Sequence, residues 1–270
     1  MNRAVRLRAL AAGAALALAA TIGCTASAGN PRPASDQDGT RQETSVNDTT
    51  PTPGASGTVT ASAPLPGCYQ GTGATAHRLP GSTSGRMVAL GSGPRGIVFA
   101  PISWGDACEW AAEAKRLARH GHQVVTFDWG DDREETVLAA TALLRGRGAG
   151  TVAWVGGCMG GTVMLGLAAD RSAERPEGVA GISPLATLGG ADAGEGDGYR
   201  GELLLLGTER DPLADETRLR EVAQRFPAAR TTVLPGTLHA AEIFGGPHQE
   251  DARTALDAFL GRVFGREAAE

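Results

Sequence analysis

The chain has 270 residues, with 25 Lys+Arg against 30 Asp+Glu and a formal net charge of −5. No basic run follows the N-terminus, so nothing points to nucleic acid or to an anionic ligand groove. The first third differs in composition from the rest, which leaves about 200 residues for one folded domain.

Residues 1–24 carry Arg3, Arg6 and Arg8, then an apolar stretch from Leu10 to Ile22, then Gly23-Cys24. Cationic start, apolar middle and small-residue end are the pattern of a signal peptide, and the apolar part is short for a membrane span. The segment resembles a bacterial lipoprotein signal, although Thr21 stands where such signals usually carry leucine. That resemblance implies a lipid-anchored Cys24 and a protein on the outer face of the cell membrane. Ala26-Ser27-Ala28 is a competing cleavage site, which would give a secreted protein.

Residues 25–66 are rich in Ser, Thr, Pro, Gly, Asp and Ala. They hold too little apolar surface to offset chain ordering, so a disordered tether is expected there. The folded domain is expected over 67–265, with 266–270 as a tail. Three cysteines remain after Cys24: Cys68, Cys108 and Cys158. An odd number in an exported chain leaves at least one thiol unpaired. The expected bridge is Cys68–Cys108, leaving Cys158 free; a Cys108–Cys158 bridge, or no bridge, also fits the spacing. The cysteines lie too far apart, with no histidine at ligand spacing, for a zinc site.

Residues 86–91 read as an edge strand and 96–100 as a central one. Pro101-Ile102-Ser103-Trp104-Gly105 is a loop, with Asp106 placed to cap a helix over 107–120. A strand over 123–127 and a helix over 133–144 follow. The apolar run Thr151–Val155 reads as a buried strand and 159–170 as the next helix. Strands at 178–183, 202–207 and 231–235 alternate with a helix at 214–225, and 248–264 forms the closing helix. Residues 189–200 hold five glycines and three acidic residues and read as an exposed loop. Alternating strands and helices, with strands apolar through most of their length, predict an α/β fold: a largely parallel sheet covered on both faces. Ligands in such sheets bind beyond the carboxyl ends of the strands.

Gly156-Gly157-Cys158-Met159-Gly160-Gly161 joins the buried strand to its helix. A sharp strand-to-helix turn needs neighbours without side chains, and Gly156 and Gly160 flank Cys158 by two residues each. This arrangement resembles the nucleophile elbow of α/β-hydrolases, with cysteine in the serine position as in dienelactone hydrolases. Gly207-Thr208-Glu209-Arg210-Asp211-Pro212 and Pro235-Gly236-Thr237-Leu238-His239 carry the rest of the resemblance, each after a strand and in the family's order. It covers roughly residues 77–264. It implies Cys158 as nucleophile, His239 as base and Asp211 as the acid that orients it, with His248 and Glu209 as alternatives. It implies oxyanion donors at the Met159 N–H and in the 101–104 loop, at Ile102 or Ser103. Many family members carry His-Gly where this chain has Ala100-Pro101, and a helical lid where it has only residues 185–200.

Trp104 and Trp129 are candidate walls of the substrate pocket. The function these readings imply is an extracytoplasmic hydrolase of an ester, lactone or thioester. It would use no cofactor or metal, take a small-molecule acyl substrate, meet the membrane through its lipid anchor and otherwise be a monomer. An acyltransferase with the same triad, or a non-catalytic cell-envelope binding domain, stands as the alternative.

Overall fold

The computed structural model describes residues 63–265, apart from 81, 84 and 171–174. The signal segment with Cys24, most of the expected tether and the tail at 266–270 lie outside the described residues. Ten strands and five helices follow in order. They are β1 (Thr75–Arg78), β2 (Arg86–Leu90), β3 (Arg95–Ala100), α1 (Ala111–Arg119), β4 (Gln123–Phe127), α2 (Arg133–Gly146), β5 (Thr151–Gly157) and α3 (Met159–Ala169). Then come β6 (Gly178–Ile182), a hairpin of β7 (Thr187–Leu188) and β8 (Ala191–Asp192), β9 (Glu202–Thr208), α4 (Glu216–Arg225), β10 (Arg230–Leu234) and α5 (Gln249–Gly265).

Eight strands form one sheet in the order β1-β2-β4-β3-β5-β6-β9-β10. Only β2 runs against the others; β4, β3, β5, β6, β9 and β10 pair in parallel. Side chains alternate between the two faces, so each central strand feeds two cores. Val98, Val125, Val152 and Leu205 pack with α2, α3 and α4 on one face. Ile97, Phe99, Val155 and Leu206 pack with α1 and α5 on the other. All seven residues of β5 are buried. That is why the strand reads as a continuous apolar run rather than as an alternating one.

Two elements depart from the sequence reading. Residues 86–91 do not form the sheet edge: β1 pairs outside β2, with His77 opposite Met87. The segment Thr-Ala-His-Arg has neither the alternation nor the β-branched content that announces a strand, and its pairing with β2 defines it. The expected loop at 189–200 begins instead with the β7–β8 hairpin, turned at Gly189 and Gly190, both at positive φ. Among the described residues this hairpin and a short 3-10 turn are all that stands between β6 and β9, so no lid is inserted there.

The helix expected from 107 begins at Ala111. Asp106 does not cap it; its Oδ1 accepts the Cys108 N–H at 2.8 Å and closes a tight turn ahead of the helix. Cys68 and Cys108 are bridged, with Cα atoms 5.8 Å apart, and Cys158 is a buried free thiol. Among the described residues no helix is long and apolar enough to cross a membrane.

Candidate active site

Cys158 lies between β5 and α3 at φ +46°, ψ −110°, a backbone conformation that L-residues adopt only under strain. Its neighbours hold it there. The Cys158 N–H donates to the Ile182 carbonyl at 2.8 Å, and its own carbonyl accepts the Thr162 N–H at 2.9 Å. The flanking glycines are required by space. A Cβ on Gly156 would lie 2.3 Å from the Gly160 carbonyl carbon, and one on Gly160 would lie 2.6 Å from Ala100 Cβ. The Cys158 side chain is 4% exposed, at the N-terminus of an almost wholly buried helix. The helix dipole and the free N–H groups of that first turn favour negative charge at such a point.

His239 follows β10 by five residues, and its Nδ1 lies 2.7 Å from Asp211 Oδ2. Asp211 follows β9 and is 2% exposed. Its other oxygen, Oδ1, accepts the N–H groups of Leu213 and Ala214 at 2.9 and 3.0 Å. Burial alone would push the Asp211 carboxyl up. The bonds from His239, Leu213, Ala214 and the Ser183 hydroxyl outweigh it and hold the carboxyl below its usual range. An ionised carboxylate only accepts, so the neutral imidazole carries its proton on Nδ1 and keeps the Nε2 lone pair free. Burial pushes the imidazole pKa down, but the Asp211 bond and the neighbouring Cys158 raise it to about 10. His239 Nε2 is shut off from solvent and faces Cys158, whose side chain is the partner within its reach. Glu209, the alternative acid, is exposed, and His248 pairs with Asp251 at the start of α5.

Ser183, at the end of β6, joins the site although the sequence shows it only as a strand terminus. Its fully buried Oγ accepts the Ala240 N–H at 3.1 Å while the hydroxyl also serves Asp211. Thr208 Oγ1 donates to the Leu238 carbonyl at 2.8 Å and ties the histidine loop to β9.

The oxyanion side differs from the expectation in detail. Met159 opens α3, with its N–H directly after Cys158. The Ile102 N–H is already engaged: it donates to Glu109 Oε2 at 3.0 Å and to Oε1 at 3.3 Å. Burial, with Asp106 and Glu242 nearby, outweighs the Ile102 bond and the attraction of His239, so the Glu109 carboxyl titrates at about 7. Glu109 is a second residue that sequence reasoning missed. A glutamate two residues before a helix is commonplace, and only the folding-back of the 101–106 loop brings it to the site.

Trp104 stands 94% exposed on that loop. Trp129 is half-buried; its Nε1 donates to the Ile102 carbonyl at 2.8 Å and its ring meets Phe127 edge-on at 5.1 Å. It braces the 101–104 loop. Ser103 is half-buried. Among the described residues no cluster of His, Cys, Asp and Glu could hold a metal ion.

An eight-stranded sheet with a single reversed strand, an elbow after β5, an acid after β9 and a histidine after β10 constitute an α/β-hydrolase fold carrying a His–Asp pair placed as in a catalytic triad. Solved structures agree on the fold. An esterase from the planctomycete Thermogutta terrifontis superposes with a TM-score of 0.56 at 13% identity, covering 74% of this chain and 94% of the esterase. The enol-lactonase from Burkholderia xenovorans gives 0.52 at 16% identity, over 66% of this chain and 97% of that one. An α/β serine hydrolase homologue from Coxiella burnetii gives 0.51 at 14% identity, over 66% and 93%. No protein-family model matches the chain, and no curated protein does.

Proposed function

We propose that the protein hydrolyses an ester, lactone or thioester through Cys158, His239 and Asp211. The observation that carries the reading is the His239–Asp211 pair at 2.7 Å, with the other imidazole nitrogen buried and turned to the strained Cys158. A basic imidazole takes the thiol proton, the sulfur attacks the acyl carbon, and the leaving group departs with the proton from His239. Water then cleaves the thioester, with His239 acting again as base. An acyl-cysteine also transfers to amines and thiols, so an acyltransferase follows from the same chemistry if water is kept out.

The site carries no lid, which suits small or surface-presented acyl groups. Cys24 is proposed as the lipidated first residue of a mature chain on the outer face of the cell membrane. Loss of tritiated palmitate incorporation in C24A checks this, and secretion of unlabelled protein cut after Ala28 would replace it.

The test is release of p-nitrophenol from its acetate and butyrate, and opening of an enol-lactone. Turnover is expected in the native protein, abolished in C158A and reduced in C158S. Activity unchanged in C158A would sink the assignment. No turnover, together with no faster iodoacetamide alkylation of Cys158 than of a free thiol below neutrality, would favour a binding domain instead.

A further inference from the structure

Glu109 has its carboxyl group between the Ile102 N–H and Gly157 of the elbow. Both of its oxygens face the Ile102 N–H, at 3.0 and 3.3 Å. Oε1 lies 3.3 Å from the position a Cβ on Gly157 would take, beside the residue that precedes the nucleophile. The groups around it are Asp106 on its own loop and His239 and Glu242 after β10; His239 supplies the nearby positive charge. Resting on the thiol-hydrolase reading above, we propose that Glu109 is a catalytic residue whose carboxyl O–H donates to the acyl oxygen beside the Met159 N–H. The Ile102 N–H then acts one step back, holding the Glu109 carbonyl oxygen and aiming its O–H.

The step balances. With the His239 pKa raised to about 10, Nε2 already holds the proton that leaves Cys158, and the sulfur pair forms the C–S bond. The carbonyl π pair moves onto oxygen, which is hydrogen-bonded by Glu109 and Met159 while the Glu109 proton stays where it is. Return of that pair breaks the bond to the leaving group, which takes the His239 proton. A charged carboxylate in this place would repel the oxyanion, and only the neutral form can donate to it. A carboxyl titrating at about 7 is neutral in half the molecules there and in most of them below it.

The experiment compares wild type, E109Q and E109L for kcat/KM on p-nitrophenyl acetate across pH, with C158A alongside. Alkylation of Cys158 by iodoacetamide is the control, because that displacement forms no oxyanion. Wild-type kcat/KM should fall above about pH 7 relative to its alkylation rate. E109Q keeps an acceptor for Ile102 and a donor for the substrate, so it should hold the low-pH rate without the fall. E109L should lose roughly tenfold or more near pH 6 with alkylation unchanged. E109L as fast as wild type near pH 6, or E109Q with the wild-type fall, would overturn the role. Activity lost in C158A but unaltered in E109L removes Glu109 alone; activity kept in C158A removes the thiol reading, and Glu109 with it.

Discussion

Ser183 and Ala240 are joined at 3.1 Å, Ser183 Oγ accepting the Ala240 N–H, and both stand at positive φ, +51° and +48°. With Cys158 they are the only non-glycine residues at positive φ among the described residues. Each costs of order 1–3 kcal/mol in a position that glycine would take freely. The chain concentrates this strain where β5, β6 and the histidine loop meet. S183A keeps the Cβ and removes only the hydroxyl. It should lower kcat about tenfold and bring the His239 pKa down from about 10, read by NMR titration of the ring. S183G loses the same hydroxyl but relieves the backbone, so it should melt above S183A. Equal melting of the two would deny the strain.

Asp211 acts through the imidazole it holds. D211N turns an obligate acceptor into a group that can donate to Nδ1, which favours the wrong tautomer. Activity should fall by roughly 10²–10⁴ with KM little changed. Because Leu213 and Ala214 N–H groups bond Oδ1, an Asn whose amide oxygen occupies that side keeps the loop closed. The fold should survive by near-UV circular dichroism, and a collapsed spectrum would assign the loss to structure instead.

The elbow glycines are demanded by packing. G156A puts a methyl group 2.3 Å from the Gly160 carbonyl carbon, backbone against backbone, with no side chain free to yield. A loss of several kcal/mol, or no folded protein, is expected from urea titration. Gly146, where a Cβ would meet nothing within 4 Å, is the matched control, and G146A should be neutral or slightly stabilising.

The Cys68–Cys108 bridge pins the turn that leads into Glu109. Replacing both cysteines by alanine should cost up to about 4 kcal/mol in the chain-entropy account. It should also lower kcat/KM at temperatures well below melting, since the 101–109 segment loses its anchor. A variant that melts earlier yet keeps full kcat/KM in the cold would confine the bridge to stability.

Stability should fall as pH rises, for two separate reasons. Glu109 titrates at about 7 when folded against 4.5 in the free side chain, so the folded state binds more protons between those values. His239 titrates at about 10 against 6.5, so its contribution is complete below 6.5 and lost as pH climbs through about 10. Asp211 works in the opposite sense: its contribution is present above the ordinary carboxylate range and lost in acid. E109Q should flatten the decline between 4.5 and 7 and leave the alkaline one, followed by melting temperature against pH.

What the sequence made legible were features with a local backbone cause. Gly156 and Gly160 around Cys158, Asp211 before Pro212 and His239 after Gly236 each sit just past an apolar run, where strand ends can be recognised. The His239–Asp211 contact and the Cys68–Cys108 bridge stand in the structure. Glu109, Ser183 and β1 escaped because their meaning comes from distant partners. Glu109 needs the fold-back of the Ile102 loop, Ser183 needs Asp211 and Ala240, and β1 needs β2. Trp104, read from the sequence as a pocket wall, stands exposed on its loop.

The β7–β8 hairpin has a use beyond the present molecule. Its base is closed by the Ala193 N–H on the Ala186 carbonyl at 2.9 Å, and Arg225 of α4 holds Asp192 at 2.7 Å. Its tip, Gly189-Gly190, passes over Met159, whose Cε lies 2.9 Å from a Cβ built on Gly189. The eight-stranded sheet takes no part in that tip. A foreign segment spliced between Gly189 and Gly190 would therefore hang over the elbow while every strand keeps its register. That dipeptide is a place where the surroundings of the elbow can be changed without redesigning the core.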